Sequence, residues 1–306
     1  MTGFIIKRLV SAALTILVVS ALTFSIAFLA GDPAIAIAGK DSSAADIARV
    51  REHYGFDRPV AVQYGEWLGK ALTGDFGQSY HYQQSVADML AARLPITLGL
   101  GLAAIVFALA IAVPLGVAAA ARPASLVDRM ALALSVLGQA MPTFWLALLL
   151  VVFFGLNLRW LPISGNTTWK HFIMPTIALG FFALPALLRI TRAGTIDALR
   201  ADYVRTARAK GLGPAKILFR HALRNVMIPL VSISAVQLGA LLSGSIVVEQ
   251  IFALQGIGAL SYDATLRADL PIVQAITLIV AVFYVLLTLV ADIANAILDP
   301  RIRENW

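Results

Sequence analysis

The sequence contains no cysteine, only four histidines, and charged residues at 13% of its 306 positions. Without cysteine there are no disulfides, no thiolate metal sites and no thiol nucleophile. His53, His81, His171 and His221 stand apart, and none pairs with another at metal-ligand spacing. No G-x-S-x-G nucleophile elbow occurs. Gly39-Lys40 and Gly69-Lys70 lack the preceding glycine and the following Ser or Thr of a P-loop, so the chain has no ATP-hydrolysing motif of its own. His, Asp, Glu and Lys are missing from the middle of every long apolar run. A hydrolytic serine there would have no general base, which argues against a membrane enzyme. A proton relay would lack its mid-depth acids.

What is abundant is apolar surface. Hydrophobic residues make up 59% of the chain and mean hydropathy is +0.83, against roughly 45–50% apolar residues in an ordinary soluble domain. Runs free of Asp, Glu, Lys and Arg cover Leu9–Gly31, Leu94–Ala121, Met130–Leu158, Phe172–Leu188, Asn225–Val248 and Leu270–Ala291. A helix needs about 20 such residues to cross a bilayer. The shortest run, the fourth, extends to 192 if Arg189 and Arg192 snorkel to the interface. The first is too long for the apolar region of a signal peptide. The expectation is an all-α polytopic membrane protein with six spans. Residues 1–31 hold the N-terminus and first span, 32–93 an extracytoplasmic helical loop, and 94–303 a core. Within the core the spans fall at 94–121, 130–158, 172–192, 226–248 and 270–296.

The net charge of +7 sets the direction. With the N-terminus cytoplasmic, most of the 24 basic residues lie inside, including Lys7, Arg8, Arg122, Arg129 and those from Arg189 to Arg224, with Arg301 and Arg303. Short outer loops carry only Arg159, Lys170 and Arg267. Both termini are therefore expected in the cytoplasm.

In the long outer loop, Ser43-Ala44-Ala45-Asp46 fits a capping box and Gly55 a C-cap. A second amphipathic helix is expected after Pro59, with Tyr64, Trp67, Leu68 and Leu72 on its apolar face, and Gly74-Asp75-Phe76-Gly77 reads as a turn. The aromatics either pack on helix ends in the headgroup layer or dock a partner. Polar residues enter two spans, Ser135 and Gln139 in the third, Ser234 and Gln237 in the fifth. They serve as helix contacts or line a water-accessible path. Pro114, Pro142 and Pro185 can kink their helices. Glu249 and Asp292, at span ends, are read as reaching the interface.

Residues 193–225 form an elbow. Asp197 to Lys210 reads as one helix, with Leu199, Tyr203, Thr206 and Lys210 on one side. Gly211-Leu212-Gly213-Pro214 breaks it, and proline starts a second helix, Ala215–Asn225. Arg205, Arg208, Lys210, Lys216, Arg220 and Arg224 make it basic, yet so short a loop between spans is a poor nucleic-acid reader. A helical elbow held by two spans suits a mechanical contact with a soluble partner.

This elbow resembles the EAA loop of ABC-importer permeases, whose pattern is Glu-Ala-Ala-x-x-x-Gly followed by Ile-x-Leu-Pro. Aligned on Gly211, only Ala207 keeps the triplet's identity. His221 takes the Ile position, Leu223 matches, and Arg224 replaces the proline. DYVRTARAKG followed by RHALRNVMIP is more similar to the peptide-type permeases of the dipeptide, oligopeptide, nickel and glutathione group. Gly31-Asp32-Pro33, Tyr54-Gly55-Phe56-Asp57-Arg58-Pro59, Gly74-Asp75-Phe76-Gly77-Gln78-Ser79, Val247-Val248-Glu249-Gln250-Ile251-Phe252 and Leu298-Asp299-Pro300-Arg301-Ile302-Arg303 extend the likeness over the whole chain. Leu254 and Gln255 depart from the usual Trp and Pro. The large first loop resembles that of the first of the two permeases in such systems.

The resemblance implies a type I importer permease in a bacterial inner membrane. Its implied partners are a homologous second permease, two cytoplasmic ATPases that carry ATP and Mg, an extracytoplasmic solute-binding protein and membrane lipid. No cofactor belongs to this chain, and no nucleic acid is implied. Asp202, Tyr203, Arg205, Thr206, Ala207, Arg208, Lys210, Gly211 and His221 become the expected ATPase-coupling elbow. The solute would be a short peptide first, with nickel, glutathione, an opine or another small solute as alternatives. Read from the residues alone, an ion-coupled secondary transporter or a membrane scaffold remains open.

Overall fold

The computed structural model describes residues 2–29, 32–39 and 42–298. Gly31 and the Asp299–Arg303 segment singled out above lie outside the described residues. In chain order the helices are α1 (Thr2–Leu29), α2 (Pro33–Ala38), α3 (Ala44–Tyr54), α4 (Val60–Leu72), α5 (Val86–Ala121), α6 (Leu126–Ala140), α7 (Thr143–Leu150), α8 (Ile173–Arg200), α9 (Asp202–Ala209), α10 (Pro214–Lys216), α11 (Leu223–Ile251), α12 (Ile257–Leu266) and α13 (Leu270–Leu298). A π-helical segment, Val151–Asn157, continues α7, and a second, Ile217–Ala222, joins α10 to α11. Among the described residues there is no strand, only an isolated bridge between Gln78 and Ser85. Five helices are long and apolar enough to cross a membrane, six if the bent pair α6–α7 is one span.

That bend falls at one of the three prolines read as able to kink their helices, and it is far sharper than a kink within a continuous helix. Met130–Leu158 reads as a single span because it carries no charge, but the chain turns by 101° between α6 and α7. Pro142 is the cause. It has no N–H to continue the ladder, and its ring forces Met141 out of the helical region (φ −82°, ψ 122°). Pro114 and Pro185, by contrast, lie within continuous helices. A short helix between α11 and α13, α12, carried no sequence signal that separated it from a loop.

The chain divides into two compact units. The first comprises Leu98–Leu254 and the segment from Leu286. Here α8 packs against α6, α7 and α11, and 56% of its most apolar window is buried, the highest share of any span. Glycines make the close approaches. A Cβ on Gly180 would stand 2.8 Å from the Ala104 carbonyl and 2.5 Å from Phe107, and one on Gly138 would meet Pro185 at 2.8 Å. With little hydrophobic drive between helices in lipid, such backbone proximity supplies the dispersion contact that holds spans together.

The second unit comprises Thr2–Thr97 and Gln255–Val285. Ser43 caps α3, its hydroxyl accepting from the Asp46 N–H at 3.2 Å and donating to the Asp46 carboxylate at 2.6 Å. The Ser43 hydroxyl and then Arg49 hold that carboxyl below the usual range. Gly55 ends α3 in the left-handed region at φ 70°. In α4, Tyr64 and Trp67 pack on Phe24 of α1, whereas Leu72, expected on the same face, is exposed. Val86, Leu90, Ile257, Leu260 and Ile272 form the core. Asp269, buried, pins the loop beside it by accepting from the Ser79 hydroxyl at 2.5 Å and the His81 N–H at 3.1 Å. A cavity of about 460 Å³ is walled in part by Tyr54, Phe56, Trp67 and Tyr80.

Candidate functional site: an exposed helical elbow

The elbow begins later than 193–225. α8 runs on to Arg200, and the chain turns at Ala201 (φ −67°, ψ 151°). Asp197 to Lys210 is therefore two helices, and the side assigned to Leu199, Tyr203, Thr206 and Lys210 does not exist as one face. The break is encoded without Gly or Pro, so the sequence offered only a continuous helical period.

The turn lets α9 fold back on its neighbours. Val204, Ala207 and Ile217 are buried against one another, with Leu199 and Leu212 beside them. This small apolar nucleus dictates what points outward. Asp202, Tyr203, Arg205, Thr206, Arg208 and Lys210 are exposed, and Arg205 pairs with Asp202. Ala207, expected on the outer surface, is instead a core residue with 6% exposure. The side chain of His221 lies outside the described residues. Gly211 adopts φ 76° with open space around it, so a glycine is needed for the backbone rather than for room. Pro214 then sits at the first position of α10. The Asn225 side-chain amide donates to the Tyr203 hydroxyl at 2.7 Å, tying α9 to α11.

Just before the elbow, α8 is gripped on three sides. Arg192 makes a two-pronged contact with Asp128 of α6, Nε to Oδ1 at 2.5 Å and one terminal nitrogen to Oδ2 at 2.9 Å. The Ala124 N–H also donates to Asp128 Oδ2, at 2.9 Å. Gly116 of α5 lies close enough that a Cβ would touch Thr191 at 2.9 Å, and Val226 of α11 packs over Gly194. Arg192 thus does not snorkel. A pairing across 64 positions leaves no local trace in the sequence, and so it went unforeseen.

The four polar candidates in the spans each have their own local surroundings. Ser135 is buried, and its hydroxyl has no partner among the described residues. Ser234 donates to the Leu230 carbonyl, one turn back. Gln237 donates to the Ala183 carbonyl at 3.4 Å. Gln139 is exposed and accepts from Arg189 at 2.8 Å. Glu249, read as reaching the interface, is instead enclosed by the chain. It is fully buried, and the Ser245 hydroxyl donates to it at 2.9 Å. Among the described residues there is no cluster of His, Asp and Glu that could hold a metal ion.

A bundle of apolar spans, broken once by proline and carrying a self-packed exposed elbow, has the form of a membrane transport permease. Residues 112–304 match the family described as "Binding-protein-dependent transport system inner membrane component", and residues 1–101 match the N-terminal membrane component of such systems. The chain is 38% identical over 304 residues to the "Glutathione transport system permease protein GsiC" of Salmonella paratyphi A, with 99% of each chain covered. The same protein of Escherichia coli K12 matches equally. Its fold is similar to a chain of the MetNI methionine ABC transporter in inward-facing conformations, with a TM-score of 0.55 at 17% identity, covering 69% of this chain and 96% of that one. The protein belongs to the inner-membrane permeases of binding-protein-dependent ABC importers. It is a multi-pass transport subunit, not an enzyme.

Proposed function

We propose that this chain is one of two homologous permeases that enclose the import path for a short peptide or a peptide-like solute such as glutathione. Two ATPases would dock on its elbow and that of its partner, hydrolysing ATP with Mg on their own chains. A solute-binding protein would deliver from the opposite face. The bias of Lys and Arg supports cytoplasmic termini and a cytoplasmic elbow. Closure of the ATPases pushes the elbow, α8 and α11 follow, and the assembly passes between two discrete states.

The observation that carries this reading is the elbow's construction. Its nucleus of Val204, Ala207 and Ile217 makes it a stiff body, and its outer surface of Tyr203, Arg205, Thr206, Arg208 and Lys210 is left for a partner. Polar and cationic groups there can meet the ATPase and, at the rim, lipid phosphates.

The test uses the affinity-purified chain in detergent. ATPase subunits should co-purify, and binding protein should stimulate their hydrolysis. Gly211→Pro cannot adopt φ 76°, so uptake should be lost. A chain that never brings down ATPase subunits, together with normal ATP-dependent uptake in Gly211→Pro, would refute the proposal.

A further inference from the structure

Arg189 and Arg192 stand one turn apart on α8, yet they reach in opposite directions along α6. Arg192 goes to Asp128, in the first turn after the Ser125 cap. Arg189 goes to Gln139, next to the last residue of α6. The two anchor points are separated by about 16 Å of helix at 1.5 Å per residue. Arg189 is therefore turned away from the end of α8 that leads into the elbow and toward the break at Met141-Pro142.

For a helix that enters the bilayer at its first turn, that break falls at membrane depth. α6 has 15 residues, about 22 Å of helix, which ends short of the roughly 30 Å of hydrocarbon. Met141 and Pro142 have extended backbone, and Gln139, Ala140, Pro142 and Arg189 are exposed in this chain. Irregular backbone at such depth is tolerated only against protein or a water-filled cavity. A guanidinium facing lipid there would be strongly disfavoured.

The hydrogen-bonding inventory is one-sided. The Gln139 carbonyl accepts from one guanidinium nitrogen. The remaining guanidinium donors and the Gln139 amide donors have no acceptor among the described residues, and no carboxylate pairs with Arg189, whereas Arg192 has Asp128. A cluster of spare donors with a full positive charge fits a ligand rich in acceptors and negative charge. A planar carboxylate matches the guanidinium fork.

We infer that Arg189 and Gln139, at the broken span, form an anion subsite in the import path that holds a carboxylate of the passing solute. The inference rests on the importer reading and narrows its solute to one bearing a carboxylate.

The cysteine-free chain permits a direct test. Ala140→Cys, beside the pair, is introduced into the assembled importer in phosphatidylcholine nanodiscs. Its modification is timed with a sulfonate-bearing and a trimethylammonium-bearing methanethiosulfonate, each normalised to a free thiol. With Arg189 present, the anionic reagent should be favoured at least about tenfold, the size expected for a unit charge a few ångströms away. Arg189→Lys should keep the preference, and Arg189→Gln should remove it. S-methylglutathione, a carboxylate probe that cannot reduce the reagent, should slow the labelling. No modification by either reagent, an unchanged ratio in Arg189→Gln, or no protection by the probe would overturn the subsite. Nanodiscs containing phosphatidylglycerol form a separate arm: labelling suppressed by that lipid would place a headgroup there and overturn the assignment to solute. Stimulation of ATP hydrolysis by the binding protein is measured on the same wild-type preparation. If it is absent, the importer reading fails. If it is present without the charge preference, only the subsite fails.

Discussion

Replacing Asp128 by Asn isolates the grip of α6 on α8. The carboxylate takes two bonds from Arg192 and one from the Ala124 N–H, and its side chain is 4% exposed. The amide keeps one acceptor oxygen, loses the charge, and sets an NH2 group against the guanidinium. Removing one partner of a fully buried pair costs roughly 3–5 kcal/mol. Arg192 retains 24% of its side-chain surface, so its stranded charge is partly hydrated and we expect a loss of about 2–3 kcal/mol, below that range. The assay is the fraction of assembled complex surviving a temperature series in detergent, read by gel filtration. The midpoint should fall by about 3–5 °C. Asp128→Asn with Arg192→Gln should recover part of the loss, since neither charge is then orphaned, giving a coupling energy above about 1 kcal/mol. An Asp128→Asn midpoint equal to wild type, or strictly additive losses in the double variant, would refute the reasoning.

Gly180→Ala should lower complex yield sharply, because the added methyl meets the Ala104 carbonyl and Phe107; overpacking of this kind costs about 1–3 kcal/mol. Gly244→Ala, with nothing within 4 Å, should leave yield unchanged in the same preparation. Asp269→Ala strands the Ser79 hydroxyl and His81 N–H; amide exchange across 79–82 should accelerate by about tenfold or more, from a loss of about 1–3 kcal/mol. The depressed pKa of Asp46 means that its stabilisation of α3 is present at neutral pH and is lost as pH falls through the carboxylate range. Amide protection in 44–54 should decline over that window and not on the alkaline side.

Local rules were readable in the sequence. Ser43 and Gly55 bracket α3 because a cap and a left-handed glycine act within a few residues. The turn at Gly211 and the start at Pro214 are of the same kind. The misread features have causes that a linear reading weights poorly or misses. Absence of charge identified 130–158 as apolar but is blind to direction; Pro142 marked where the chain could bend, and the 101° of the turn was not written locally. Ala201 breaks α8 from α9 although alanine is the best helix former; the burial of Val204, Ala207 and Ile217 overrides that preference. Arg189 and Arg192 are alike in sequence and differ only through what α6 brings beside them. Glu249 looked like an end residue because its buried surroundings come from tertiary packing.

The π-helical segment Ile217–Ala222 connects the start of the elbow's second arm to α11 without interrupting the helix. Each π turn holds one residue more than an α turn, closing to i+5 instead of i+4. If such a turn tightens to α geometry, everything beyond it rotates by roughly 100° and advances by about 1.5 Å per residue released, with hydrogen bonds exchanged rather than lost. The junction is thus a reserve of slack, through which a push on α9 and α10 can reach α11 as a twist.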